Sequence, residues 1–248
     1  MRWVVDRIKL NVKSALNFRE AFLISVAGMV INDLFWILVI YFLGSFSIMG
    51  FDSRSYLIAF AFSTLSYGLV GILFGGLRNI SKIYTGELDA FLTKPGSAFL
   101  HVATSKTRFE DFGDLLLGVM LLLLLKPPLI SILFFPFTFV LFLSFTLFSF
   151  SLHFFIYEPT NKFHSMLQFL PLTFALWPSF ILPFPFSIIP YFIFPGAWMS
   201  FGLIEIARGS RAPAQLLLTT LFWTLLASFT WRKGLKRYSS GTSLGLID

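Results

Sequence analysis

Residues 75–95, GGLRNISKIYTGELDAFLTKP, form a polar segment between two long apolar runs. We call this segment the polar island. The chain as a whole is 56% hydrophobic and has a mean hydropathy of +0.81, which places most of its length in lipid. Because its charge is concentrated in one short segment outside the apolar runs, the island is predicted to be a docking surface for a soluble partner.

The apolar runs outside the island predict membrane-spanning helices. Four runs are long enough to cross a hydrocarbon core of about 30 Å as helix: they lie at about 21–44, 56–77, 129–153 and 214–231. Residues 112–125 reach spanning length only when extended at both ends, and 163–182 contains Pro171 and Pro178, which neighbouring helices can tolerate. The sequence therefore predicts an all-α polytopic membrane protein, with six transmembrane helices in a single domain over 1–248.

The distribution of Lys and Arg predicts the orientation of these helices. With the N-terminus inside, fifteen of the 19 basic residues lie on the cytoplasmic side, and four lie outside: Arg54, Lys126, Arg208 and Arg211. This asymmetry follows the positive-inside rule and predicts that both termini are cytoplasmic. It also accounts for the formal charge of +7 without a nucleic-acid partner. The charged start lacks the pattern of a cleavable signal peptide, so the first span is expected to act as its own signal.

Residues 1–20 are predicted to form an amphipathic helix lying along the inner leaflet. One face of this helix is apolar and contains Val4, Ile8, Val12 and Leu16. The opposite face is charged and contains Arg2, Asp6, Lys9 and Lys13. Trp3 and Leu10 interrupt this pattern, which leaves an irregular basic anchor as the alternative.

Asn32 and Asp33 lie near the middle of the first span. An ionised carboxylate there costs several kcal/mol unless it is paired or faces water. Asp33 therefore marks a transport pathway or a subunit seam, or else is a protonated or hydrogen-bonded helix-packing residue. Gly71 and Gly75 have the small-xxx-small spacing of closely packed membrane helices, which indicates either a dimer seam or packing within the chain.

Proline is too dense near residues 171–196 for a straight helix. Residues 178–213 are therefore predicted to be an extracytoplasmic region of short pieces that dip into the outer leaflet, and residues 232–248 a cytoplasmic tail.

Catalytic and metal-binding patterns are weak. The run GTSLG at 241–245 resembles a hydrolase nucleophile elbow but has no preceding strand and no downstream histidine. His101, His153 and His164 lack the spacing of a metal site, so no metal is expected. With no cysteine and no phosphate-binding loop, the chain is expected to bind neither a thiolate-held metal nor ATP.

Acidic residues at two places have a docking or a structural interpretation. Glu87 and Asp89 lie between Gly86 and Lys94-Pro95, the setting of a short helix or turn. Exposed carboxylates there would meet basic residues of a partner, and the alternative is a solvated loop. Asp111 and Asp114 at the start of the third span are typical of helix N-terminal acids.

These motifs resemble the permease subunits of type-2 ABC exporters, in the branch once listed as a domain of unknown function (DUF990). The matching elements are GGLR at 75–78, IYTGELD at 83–89, KP at 94–95, FGD at 112–114 and WRKGLKRYSSG at 231–241. The resemblance implies a non-enzymatic permease of the bacterial inner membrane that dimerises with a second copy or a related permease. It also implies a separate ATPase subunit that carries ATP and Mg.

The same resemblance implies an N-terminal elbow helix, re-entrant outer-face helices between spans five and six, and a cytoplasmic coupling helix within the loop 78–108. The residues expected to couple to the ATPase are Arg78, Lys82, Gly86, Glu87, Asp89 and Lys94. Asn32, Asp33, Gly71 and Gly75 are candidates for the pathway or dimer seam. The alternative function is a self-contained secondary carrier or channel that uses Asp33.

Overall fold

The computed structural model describes residues 2–45, 51–158, 160–176 and 182–238, and most of these residues are helical, with no strand among them. Pro178, Phe180, the run at 241–245 and the last part of the predicted tail lie outside the described residues. The α-helices are α1 (Arg2–Asn17), α2 (Arg19–Ser45), α3 (Ser53–Phe74), α4 (Ser81–Tyr84), α5 (Asp89–Leu92), α6 (Ala98–Ala103), α7 (Asp111–Leu125), α8 (Leu129–Leu152), α9 (Lys162–Leu176), α10 (Phe201–Ala207) and α11 (Pro213–Arg237).

Four helical segments are long and apolar enough to cross a membrane. They are Arg19–Phe42, Ser53–Tyr84, Leu129–Leu152 and Pro213–Arg237, and they confirm a polytopic membrane protein. α7 and α9 contain 15 described residues each, about 22 Å of helix, which is less than a typical span. α7 ends at Leu125, and the next residue, Lys126, has a left-handed φ of 45° just before Pro127 and Pro128. The count of six spans stays a prediction.

Contacts between distant segments define the two ends of the helix bundle. At one end, Trp231 of α11 packs edge-on against Phe154, which follows α8, and against Phe99 of α6. Trp3 of α1 stacks on His101 of α6 at the same end. The first and last helices of the described chain therefore meet at the same end of the bundle as the polar island. We call this end of the bundle the island end.

The opposite end gathers the four basic residues that were predicted to lie outside. Arg54 at the start of α3 donates to the carbonyl of Leu125 at the end of α7 (2.8 Å) and to that of Lys126 (3.3 Å). Arg208 donates to Ser55 Oγ (3.0 Å), and Arg211 lies in the same connecting segment. The structure thus places these four basic residues together at the end of the bundle opposite the polar island.

α3 is the central helix and contacts α2, α7 and α8. Its packing on α7 is close because glycines lie at the crossing: a Cβ on Gly68 would be 2.8 Å from Leu115 N, and one on Gly118 would be 3.0 Å from Leu65 N. α11 packs along α8. Apolar side chains on the remaining faces stay exposed, as lipid-facing residues do, for example Ile24, Leu38, Leu123 and Leu218.

The proline-rich region is built of short pieces, as predicted for its described part. A π-helical turn (Ile189–Ile193) is followed by a 3₁₀ helix (Pro195–Met199) and α10. An ion pair closes this region, because Arg211 Nε lies 2.9 Å from Glu205 Oε2, which also accepts the hydroxyl of Tyr191. The region also packs on α9, since a Cβ on Gly196 would be 1.8 Å from the carbonyl oxygen of Pro171. Its depth in the membrane stays a prediction.

Candidate functional site

The polar island is folded into short helices rather than a solvated loop. A 3₁₀ turn over Gly75–Arg78 leads into α4, α5 and α6. Gly86 (φ 78°) and Gly96 (φ 108°) are left-handed, which glycine adopts without steric cost. The predicted short helix between Gly86 and Pro95 is confirmed as α5.

One face of the island is apolar and anchors it to the bundle. Leu77, Ile80, Ile83 and Leu88 are each at most 2% exposed and belong to one buried cluster with Phe150, Phe154 and Trp231. These partners come from the island ends of α8 and α11. The island is therefore fixed to these two helices by close packing.

The other face of the island is accessible. We call it the outer face; it comprises Thr85, Glu87, Ala90 and residues 92–97, all exposed. Gly86 and Asp89 beside it are half-buried. Of the six predicted coupling residues, Glu87 and Lys94 thus lie on the accessible surface, and Gly86 and Asp89 border it.

Two of the predicted coupling residues, Arg78 and Lys82, are buried and do not lie on the accessible surface, so a role of either in coupling stays a prediction. Arg78 is 9% exposed and Lys82 is 4% exposed. The Lys82 ammonium donates to Ser105 Oγ. These side chains hold the island to the following segment, because a buried charge is stable only when polar groups surround it.

α1 packs against α6, the helix that follows the island, through a face that the sequence pattern did not single out. Arg7 Nη1 donates to the carbonyl of His101 (3.1 Å), and Asn11 Nδ2 donates to that of Thr104 (3.1 Å). Trp3, which interrupts the apolar stripe, lies one turn before Arg7 and stacks on the His101 ring with centroids 4.1 Å apart. The helix is confirmed, and the irregular anchor is wrong. Its position in the inner leaflet stays a prediction.

A buried ion pair links the island to α7. Arg78 Nη1 lies 2.9 Å from Asp111 Oδ2, and the Asp111 side chain has no exposed surface. The Arg78 guanidinium also covers the Tyr67 ring at 3.6 Å. Asp111 is the first residue of α7, where a carboxylate also interacts favourably with the helix dipole.

Gly71 and Gly75 make room for this junction. A Cβ on Gly71 would lie 1.3 Å from Asp111 Oδ2, and one on Gly75 would lie 2.9 Å from the carbonyl oxygen of Lys106. Both glycines are buried by their own chain. These contacts support packing within the chain for both glycines, and a dimer seam at these positions stays a prediction.

Asp33 pairs with a second acid within the bundle. Asp33 and Asp114 are each 2% exposed, and their carboxyl groups lie within hydrogen-bonding reach of each other. Asn32, the preceding residue on α2, is exposed, and its side chain also lies within hydrogen-bonding reach of the Asp33 carboxyl group. α2 approaches α7 closely here, since a Cβ on Gly113 would lie 2.9 Å from the Met29 Cβ. This geometry fits a hydrogen-bonded packing residue, and a role of Asp33 in a transport pathway stays a prediction.

Sequence reasoning missed the pairing of His153 with His164. Their rings lie 5.4 Å apart; His153 Nδ1 is bonded to the Tyr84 hydroxyl and His164 Nδ1 to Ser149 Oγ, both at 3.0 Å. The first bond ties the island to the loop between α8 and α9, and the second joins α9 to α8. Over the described ranges, no group of three or more His, Cys, Asp or Glu is arranged to hold a metal.

Comparison with protein families identifies the chain. A family model described as "ABC-2 family transporter protein" matches residues 27–242, a range that includes all the helices from α3 to α11. Searches of curated proteins and of solved structures gave no match. The membrane-spanning helices, the anchored island and this match over most of its length agree, and the chain therefore belongs to the ABC-2 transporter family as a membrane permease.

Proposed function

We propose that this permease is the transmembrane subunit of an ATP-driven exporter and that it forms the translocation pathway as a dimer. A separate ATPase subunit, which carries ATP and Mg, binds the outer face of the island. The observation that carries this proposal is the two-sided island, whose apolar face is fixed to α8 and α11 while its polar face is accessible. An ATPase-coupling element must be packed firmly against the membrane helices on one face and accessible to the ATPase on the other.

In the proposed mechanism, the island transmits the motion of the ATPase subunits to the membrane helices. ATP binding brings the two ATPase subunits together, and each displaces the island that it contacts. A partner can drive a conformational change only through contacts that differ between the two states. The contacts available are the apolar anchor on α8 and α11 and the Arg78–Asp111 pair on α7. Movement of the island would therefore shift these helices relative to α2 and α3.

The proposed topology has six crossings of the bacterial inner membrane, with α7 and α9 as the two short spans. The island end is cytoplasmic, since it holds α1, the island and the basic end of α11. α1 lies in the interface as an elbow helix, and residues 178–213 re-enter the outer leaflet.

Affinity purification in a mild detergent tests the assembly. We expect an ATPase with a phosphate-binding loop to co-elute at stoichiometric yield, identified by mass spectrometry. A second permease of different sequence would show a heterodimer, and its absence from a complex of dimeric mass would show a homodimer. Reproducible isolation of the chain without any ATPase would contradict the proposal.

A self-contained carrier is the second candidate, favoured by the buried Asp33–Asp114 pair. Two carboxyl groups that share a hydrogen bond hold one proton between them, which is the requirement for a proton-coupled site. Transport by the purified chain in vesicles distinguishes the two functions. Dependence on a proton gradient without nucleotide would support the carrier, whereas dependence on ATP and an added ATPase would support the exporter.

A further inference from the structure

A polar cavity of about 520 Å³ opens beside the island at the island end of the bundle. It lies between the 3₁₀ turn that begins the island, the segment before α7 and the start of α9. Its lining includes Arg78, Lys106, Arg108, Glu110, Asn161 and Ser165. None of the outer-face residues lines this cavity, so it is distinct from the proposed ATPase surface.

The charge of the cavity is predominantly positive. Its lining contains three cations, Arg78, Lys106 and Arg108, and one carboxylate, Glu110. Glu110 is satisfied by Arg108, whose Nη2 lies 2.6 Å from Glu110 Oε1. Lys106 is exposed and forms no ion pair within the described part of the chain. Positive charge therefore remains available to a ligand.

A buried donor in the lining has no acceptor. Arg78 is 9% exposed; its Nη1 binds Asp111 and its Nη2 binds the carbonyl of Tyr67 (3.2 Å), but its Nε has no hydrogen-bond partner. Leaving a buried guanidinium N–H unsatisfied is costly, and an anionic oxygen in the cavity would relieve this cost.

The far wall is neutral and offers both donors and acceptors. Asn161 Nδ2 donates to Ser165 Oγ (3.3 Å), while Asn161 Oδ1 is buried without a partner. Asn161 also has a left-handed φ of 63°. A neutral acceptor opposite the cations suits a ligand that carries a hydroxyl group next to its anionic oxygens.

We propose that this cavity binds a phosphate-bearing anion, either the headgroup of an anionic phospholipid or a free phosphate. Guanidinium and ammonium groups converging from two segments match the oxygens of a phosphate. The cavity lies just beyond the ends of α3 and α7, the depth at which lipid headgroups meet a membrane protein. The site requires only the membrane protein itself and does not depend on ATPase binding.

Binding of inorganic phosphate to the purified, delipidated protein tests the site, with ³¹P NMR line broadening as the measurement. Lys106→Gln removes one cation from the exposed rim, and we expect binding at least about fivefold weaker than in the parent protein. Lys236→Gln, which removes a charge from the last turn of α11 away from the cavity, is the matched control and should bind as the parent does. Equal effects of the two substitutions would overturn the proposal.

A second variant tests whether weaker phosphate binding in Lys106→Gln reflects the cavity itself. Ser165→Asp places a carboxylate in the cavity from an exposed position on α9, and we expect it to abolish binding without loss of helical circular dichroism. Retained binding in folded Ser165→Asp protein would exclude this cavity as the site.

Native mass spectrometry distinguishes the two sources of the anion. The protein is extracted from nanodiscs that contain phosphatidylglycerol and phosphatidylcholine. Phosphatidylglycerol that is retained by the parent and lost in Lys106→Gln would identify the lipid headgroup. Phosphate binding without lipid retention would identify the free anion. The absence of both would overturn the proposal.

Discussion

Gly71 illustrates at the residue scale how the chain accommodates a buried charge. The absence of a side chain there lets the Asp111 carboxylate approach α3 and meet Arg78. Breaking a buried ion pair leaves an uncompensated charge, which typically costs about 3–5 kcal/mol.

We predict that Gly71→Ala lowers the free energy of unfolding by about 3 kcal/mol or more, because its methyl group would displace the Asp111 carboxylate. Thermal unfolding of the purified protein in detergent measures the effect. Gly28→Ala on α2 is the matched control, since its Cβ would meet no atom within 4 Å. An unchanged melting temperature in Gly71→Ala would contradict the close contact.

A second residue-scale prediction concerns Asp33. Asn has nearly the shape of a protonated Asp and can still hydrogen-bond to Asp114, so Asp33→Asn should preserve folding and ATP-dependent transport. Asp33→Leu should lower stability by about 1–3 kcal/mol, because it leaves the buried Asp114 without its partner. Transport and thermal unfolding are measured for both variants. Loss of transport in a stable Asp33→Asn protein would instead support a proton-coupled pathway.

At the scale of elements, the island is a set of short helices that are too small to be stable alone. Its apolar side chains are buried against α8 and α11, and α6, which follows it in the chain, is held to α1 through His101 and Thr104. The outer face is therefore presented in one fixed conformation.

We predict that reversing charge on the outer face uncouples the permease from its ATPase. Glu87→Lys and Lys94→Glu should each reduce permease-dependent stimulation of ATP hydrolysis several-fold, because exposed charges set the complementarity of a docking surface. Lys126→Glu makes the same change at the opposite end of the bundle and should have no effect. Full stimulation in both island variants would contradict the assignment of this face.

At the scale of the whole molecule, the proposed orientation can be tested because the chain has no native cysteine. Ser97→Cys lies on the exposed outer face, and Ala212→Cys lies at the exposed start of α11. In intact cells, a membrane-impermeant maleimide should label Ala212→Cys at once and Ser97→Cys only after permeabilisation. The reverse pattern would place the island outside the cell.

Much of the fold followed from local sequence properties. Long apolar runs predicted the four clear spans, apolar residues at every fourth position predicted α1, and dense proline predicted the short pieces near the opposite end. These features can be predicted from the sequence because they depend on how residues close together in the chain interact with lipid, water and their own backbone. The resemblance to ABC-2 permeases rests on contiguous motifs and is confirmed by the family match.

Only the tertiary structure decided which polar residues are exposed. The sequence treats Arg78, Lys82, Glu87 and Lys94 as one charged group, yet the first two are buried and the last two are accessible. The partner of Asp33 likewise lies on a distant helix. The sequence by itself thus determined the helices and their membrane setting, whereas the burial and pairing of charges were decided by packing between segments that are far apart in the chain.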